Sequence, residues 1–161
     1  LYNSENVHFV SPDQYKEIKF RDYGEISIKT FGSTDQGISI LIFIDGITIF
    51  HAGDLNFWAW PDNDEKTMQD EYDQLMVEIE KIKKYDVDIS FFPVDYRLEE
   101  NYYKGAEIFI KEVKPQILFP IHSGGHEEIN IKFAKEHPSD LTVFRPVLEA
   151  NQKVIVDINL E

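Results

Sequence analysis

Cysteine is absent from this chain of 161 residues. That excludes disulfides, thiolate metal sites and cysteine nucleophiles, and it fits a cytoplasmic protein. Arginine is scarce, present only as Arg21, Arg97 and Arg145, and the formal net charge is −14. Such a balance repels phosphate backbones and anionic lipid, so neither a nucleic-acid partner nor a membrane surface is expected. An anionic small molecule would need a local cation, either a metal ion or one of the few arginines. No apolar run reaches the ~20 residues of a membrane helix, and no signal-peptide pattern opens the chain. The chain begins at Leu1, without methionine and already close to strand-like Val7–Val10, as if cut from something longer.

A hydrophobic content of 42% with 14% aromatics predicts a folded unit with a sizeable core. Residues 1–161 read as a single α/β unit, without repeat, low-complexity tract or linker. Strands are expected at Val7–Val10 and Ile26–Phe31, and Gln14–Phe20 reads as a further strand or a polar, turn-rich link. The apolar run Ile38–Phe50 is interrupted by Asp45-Gly46, which reads as a hairpin. Helical periodicity covers Thr67–Tyr85 and Tyr103–Val113, and a short helix is expected over Glu127–Glu136. Buried strands are expected at Val87–Val94 and Gln116–Ile121, with closing strands at Leu141–Phe144 and Lys153–Ile158.

Three strand-to-loop junctions carry polar groups: His51-Ala52-Gly53-Asp54, Pro93-Val94-Asp95-Tyr96-Arg97 and Pro120-Ile121-His122-Ser123-Gly124-Gly125-His126. Ligand sites of open α/β sheets gather at strand ends. A converging set of Asp, His and Arg there suits a hard or borderline metal ion. The blander readings stand beside it. A lone carboxylate after a strand is more often a turn or helix cap, and His122 a hydrogen-bonded core histidine. His51 reads as packing or donating a hydrogen bond nearby, and His8, His126 and His137 as surface or loop residues. Trp58, Trp60, Tyr102 and Tyr103 are pocket walls or packing. Spacing alone leaves these alternatives open.

The stretch Thr30-Phe31-Gly32-Ser33-Thr34-Asp35-Gln36-Gly37-Ile38-Ser39 through His51-Ala52-Gly53-Asp54-Leu55-Asn56 resembles the second half of a metallo-β-lactamase-fold protein. The later Phe92-Pro93-Val94-Asp95 and Pro120-Ile121-His122 junctions follow in the same order. The resemblance spans roughly Ile26 to His122 and is nearest the ascorbate-phosphate lactonase branch. It implies the C-terminal half of an αββα sandwich, in an intact protein that is a metal-dependent hydrolase of an ester, lactone or phosphoester-type small molecule. Asp54 would match the bridging carboxylate and His122 the last histidine ligand. Asp95 and Arg97 would stand at the rim as substrate contacts, Arg97 gripping an anionic group by a forked contact.

Two departures accompany the resemblance. The family's His-x-His-x-Asp-His signature does not occur here, so the remaining ligands are expected on a missing N-terminal half. The family's pre-hairpin histidine is replaced by Gly32-Ser33-Thr34-Asp35. Asp35 could serve as an oxygen ligand, which would favour a harder ion. The implied cofactor is a divalent metal, zinc first, with manganese, magnesium or iron as alternatives. The competing reading is a non-catalytic domain whose metal site has degenerated. Half a sandwich also leaves an apolar sheet face that its other half should cover, without which the chain should aggregate or swap.

Overall fold

The computed structural model describes residues 7–20, 24–149 and 151–158. They form one seven-stranded sheet in sequential order: β1 (Tyr15–Phe20), β2 (Gly24–Phe31), β3 (Ser39–Ile44), β4 (Ile47–His51), β5 (Ile89–Pro93), β6 (Ile117–Ile121) and β7 (Val143–Phe144). Strands β1 to β4 pair antiparallel. From β4 onward the pairing is parallel, with crossovers through α1 (Glu65–Ile82), α2 (Lys104–Val113) and α3 (Glu128–Glu136). The hairpin turns on Asp45 and Gly46, at φ +52° and +79°. This is the double left-handed turn whose twist matches two antiparallel strands.

Register decides which face each strand residue takes. Leu41, Phe50, Ser90, Leu118 and Phe144 pair in one row, and the helices pack there. Leu75, Ile79 and Ile82 of α1, Phe109 and Ile110 of α2, and Phe133 of α3 join Phe50, Phe92 and Leu118 in one core. Phe109 stacks between Phe50 and Phe92, at 5.1 and 4.4 Å between ring centroids.

The opposite face carries Ile28, Ile42, Ile49, Ile89 and Ile117 in one row, and Thr30, Ile40, His51, Phe91 and Phe119 in the next. Ile40, Ile42, Ile49, Ile89 and Phe91 are only half-buried. Ile28, Ile117 and Phe119 are buried but stand outside the main core. Among the described residues no helix lies on this face. The strands are thus apolar on both sides, a pattern that ordinarily means both faces are covered.

Three expected strands differ. Val7–Val10 is not a strand, because Pro12 offers no N–H and Asp13 turns the chain at φ +61° just before β1. The closing strand at Leu141–Phe144 shrinks to Val143–Phe144. Ser139 Oγ accepts the Leu141 N–H at 3.0 Å, and Pro146 ends the segment. Residues 153–158 are not a strand: they follow a turn at Asn151 (φ +62°), and no strand among the described residues pairs with them. Arg21 lies outside the described residues.

Helix α1 starts two residues earlier than its apolar periodicity, because Asp64 caps it by accepting the Thr67 N–H at 2.8 Å. On α1, Glu71 accepts from Asn63 Nδ2 at 2.9 Å through Oε1, while its buried Oε2 has no partner. Burial raises its pKa above the ordinary 4.5, against the hydrogen bond from Asn63. A raised carboxyl favours folding below its unfolded pKa, and that contribution is lost as pH rises through the folded value. Glu71→Gln should therefore raise stability at pH 7 and give no gain at pH 4. Thermal melts at the two pH values check this.

Candidate functional site

The carboxyl ends of β4, β5 and β6 stand side by side, paired through His51–Phe91 and Pro93–Ile121. Three loops leave from these ends, carrying Asp54, Asp95 and His122. The sheet thus converts distant sequence positions into neighbours.

Asp54 sits on a turn whose backbone is held from several sides. The Ala52 N–H donates to Phe91 O at 2.9 Å, and Leu55 N–H to Ala52 O at 3.0 Å. Gly53 takes φ +56°, and a Cβ there would lie 2.7 Å from Ile38 O, so only glycine fits. Thr34 Oγ1 donates to Asn56 O at 2.7 Å, and accepts from the Asn56 N–H at 2.9 Å. Trp58 Nε1 donates to Asp54 O at 3.1 Å. The backbone is committed, whereas the Asp54 side chain remains 45% exposed. A half-exposed carboxylate carries little of the desolvation penalty that a buried one would.

His122 follows β6 in a left-handed backbone conformation, φ +69°. For a residue other than glycine this conformation is uncommon, and it persists where the surroundings enforce it. Its Nε2 lies 2.9 Å from Asp54 Oδ1, and its Nδ1 lies 3.6 Å from Asp95 Oδ2. Trp58 walls the ring at 5.7 Å between centroids. The side chain is 25% exposed.

Asp95 has no exposed side-chain surface. Its Oδ1 accepts the Arg97 N–H at 3.0 Å and Nε–H at 2.9 Å, and Oδ2 accepts from Arg97 Nη2. Burial by itself would raise the Asp95 carboxyl, but the hydrogen bonds and charge of Arg97 prevail and hold it below the ordinary carboxylate range. The Arg97 guanidinium lies 6.0 and 5.7 Å from the Trp58 and Trp60 rings, which stack on each other at 5.9 Å. One edge of the arginine fork is therefore committed inward, while half of the side chain still meets solvent.

The structure thus brings Asp54 and His122 together, with Asp95 and Arg97 behind and beside them. Asp35 is not brought there. Its Oδ1 accepts the Gln36 N–H at 2.7 Å within its own loop. Thr34 is the residue of that loop that reaches the Asp54 turn, and Glu78 of α1 fixes the loop by accepting the Gly32 N–H at 2.9 Å. Among the described residues no group of three or more His, Asp or Glu side chains is arranged to hold a metal. Asp54 and His122 supply one oxygen and one nitrogen donor, a pairing that suits zinc and its neighbours. They fit two positions of such a site, not a complete one.

His51 does pack, at 5.8 Å from the Phe91 ring, and it accepts the Gly53 N–H at 3.0 Å through Nδ1. Partial burial lowers its pKa, helped by the nearby His122 and opposed by Asp54. Tyr102 and Tyr103 belong to packing between α2 and α3. Tyr102 donates its hydroxyl to Glu136 at 3.0 Å, and Tyr103 stacks on His137 at 4.0 Å. A recess of about 790 Å³ bordered by Thr48, Lys83, Asp88 and Gln116 is separate from these loops. Asp88 there is satisfied by the Thr48 N–H and by Gln116, at 2.7 and 2.6 Å.

Sequence reasoning passed over Thr34 and Asn56, whose contacts span 22 positions and follow no local pattern. Asn56 could have been suspected only from its place two residues after Asp54.

No family model matches the chain, and no curated protein matches it. A solved structure from Thermotoga maritima, that of a candidate zinc-dependent hydrolase of the metallo-beta-lactamase superfamily, is similar to it with a TM-score of 0.42 and 18% identity. The similarity covers 76% of this chain and 55% of that chain, so this chain spans little more than half the length of that protein. At that level the likeness assigns neither a family nor an activity to this chain. What the molecule itself establishes is a mixed α/β sheet whose strand ends unite Asp54, His122 and an Asp95–Arg97 clamp.

Proposed function

We propose that this chain is the C-terminal part of a metal-dependent hydrolase acting on an ester, lactone or phosphoester-type small molecule. The observation that carries the reading is the 2.9 Å approach of His122 Nε2 to Asp54 Oδ1. It joins the two residues that the sequence resemblance assigns as ligands, at the edge where β4 and β6 end. Asp54 and His122 would hold a divalent ion, with further donors from a second layer on the isoleucine face. When bound, the ion supplies Lewis-acid activation of water and of the oxygen under attack.

The chain's own residues do the rest. The Asp54 turn, pinned by Thr34 and Trp58, keeps the carboxylate aimed while leaving it open to solvent. Trp58 and Trp60 wall the approach, and the outward edge of Arg97 would hold an anionic substrate group. His51, the last residue of β4, lies on the helix-free face, so a layer packed there would meet the site directly.

The competing reading is a non-catalytic domain, favoured by the incomplete donor set among the described residues. Metal analysis of the full-length protein separates the two. The hydrolase reading expects at least one transition metal per chain, and chelator-sensitive hydrolysis on a panel of esters, lactones and phosphodiesters. Metal well below one per chain, together with hydrolysis indifferent to chelator, contradicts it.

A further inference from the structure

We propose that Asp95 is a positioning residue for His122: clamped by Arg97, it faces the Nδ1 edge of the ring and so presents Nε2 beside Asp54. A substrate contact is not open to it, because its side chain is fully buried. The 3.6 Å separation from His122 Nδ1 is too long for a hydrogen bond but well inside the range of charge attraction. The carboxylate itself cannot turn away, since the Arg97 main-chain N–H, Nε and Nη2 all donate to it.

The other sides of the ring are fixed by the same group of residues. Trp58 borders His122 at 5.7 Å, and the Arg97 guanidinium lies 6.0 Å from the Trp58 ring. Val94 N–H donates to Ile121 O at 2.9 Å, tying the Asp95 loop to the residue before His122. The left-handed backbone of His122 persists only where its neighbours hold it. A histidine that gives one nitrogen to a metal keeps its proton on the other, and that N–H needs an acceptor. Asp95 is the buried anion on that side.

The proposal rests on the metal-site reading only for what Nε2 faces. Asp95 also caps the 3₁₀ segment Tyr96–Asn101 through the Arg97 N–H, so the test must separate capping from orientation. Labelled full-length protein is prepared as wild type and Asp95→Asn. Nuclear Overhauser contacts between the His122 and Trp58 rings are measured without metal, and affinity is then measured with zinc alone.

Asp95→Asn should weaken or average the His122–Trp58 contacts. It should also raise the zinc Kd by about 10–100-fold, as losing an outer partner of a ligand does. Unchanged ring contacts, with only a lower Tm, would mean a capping role and overturn the proposal. If the wild type binds no zinc, the metal-site reading fails, while the metal-free ring contacts still decide on Asp95. Should Asp95→Asn not fold, Arg97→Gln releases the clamp and keeps the carboxylate. Loss of the same ring contacts supports the proposal, and their full retention overturns it.

Discussion

Asp54→Ala in the full-length protein should lower affinity for its divalent metal by more than about 100-fold, beyond the 10–100-fold typical of outer-shell changes, and hydrolysis should fall with it. The expectation follows from where the carboxylate sits. Its backbone is held by Thr34 and Trp58, so truncating the side chain leaves the turn intact. The side chain is nearly half exposed, so its removal opens no core cavity and should change the Tm little. Lost metal binding with a retained fold is the signature of a ligand. His122→Ala should act in the same direction, and the double variant should be scarcely worse than either single one. Metal titration and melting of the variants check this, and a competent Asp54→Ala protein would return Asp54 to a simple turn residue.

The second large effect concerns Gly105, in the first turn of α2. A Cβ built there would lie 1.9 Å from Asn56 Oδ1 and 3.0 Å from Phe57 N. Alanine gains up to about 1 kcal/mol over glycine in a helix. Overpacking costs about 1–3 kcal/mol and can cost more. Here the obstacle has little room to yield, because Asn56 is buried and its backbone is bonded to Thr34 through both N–H and carbonyl.

The steric term therefore wins, and Gly105→Ala should destabilise by about 2 kcal/mol on balance. For a chain of this size that is a Tm decrease of roughly 4–8 °C. Since Asn56 lies two residues beyond Asp54, metal affinity should fall as well. Shortening the obstacle with Asn56→Ser should restore part of the loss, which a double-mutant cycle would read as coupling. A Tm that rises on Gly105→Ala would show that helix propensity prevails and that the contact is loose.

Much of the fold is legible in the sequence because its signals are local. The Asp45-Gly46 turn between alternating apolar runs places the hairpin. The repeat of Leu75, Ile79 and Ile82 places α1, and the apolar runs before Pro93 and Ile121 place the two central parallel strands. Strand ends at the sheet margin are not legible in this way. Val154 and Val156 have strand-like side chains, but a strand exists only when a neighbour accepts its hydrogen bonds, and β7 pairs for just two residues. The start of α1 was missed because Asp64, a cap, interrupts no apolar pattern.

The site divides along the same line. Asp54 and His122 stand out as polar residues ending apolar strands, and the sheet does bring them together. Asp35 was expected as a third donor from the resemblance, in place of the pre-hairpin histidine, whereas the loop turns Thr34 inward and leaves Asp35 bonded to Gln36. The burial of Asp95 depends on a clamp only two residues long, which a sequence does not distinguish from an exposed rim pair. The helix-free isoleucine face was expected from the resemblance alone. Its rows are visible once register is known, because every second residue of β2 to β6 falls on it.

The central claim is that Asp54 and His122 are ligands of one metal ion in the full-length protein. Anomalous diffraction from its crystals, collected at the absorption edge of whichever transition metal it retains, tests that claim most directly. The account predicts a peak bordered by the Asp54 carboxylate and His122 Nε2, with donors from a second layer completing the shell. A map with no peak there, or with metal elsewhere and the Asp54–His122 contact undisturbed, would contradict it.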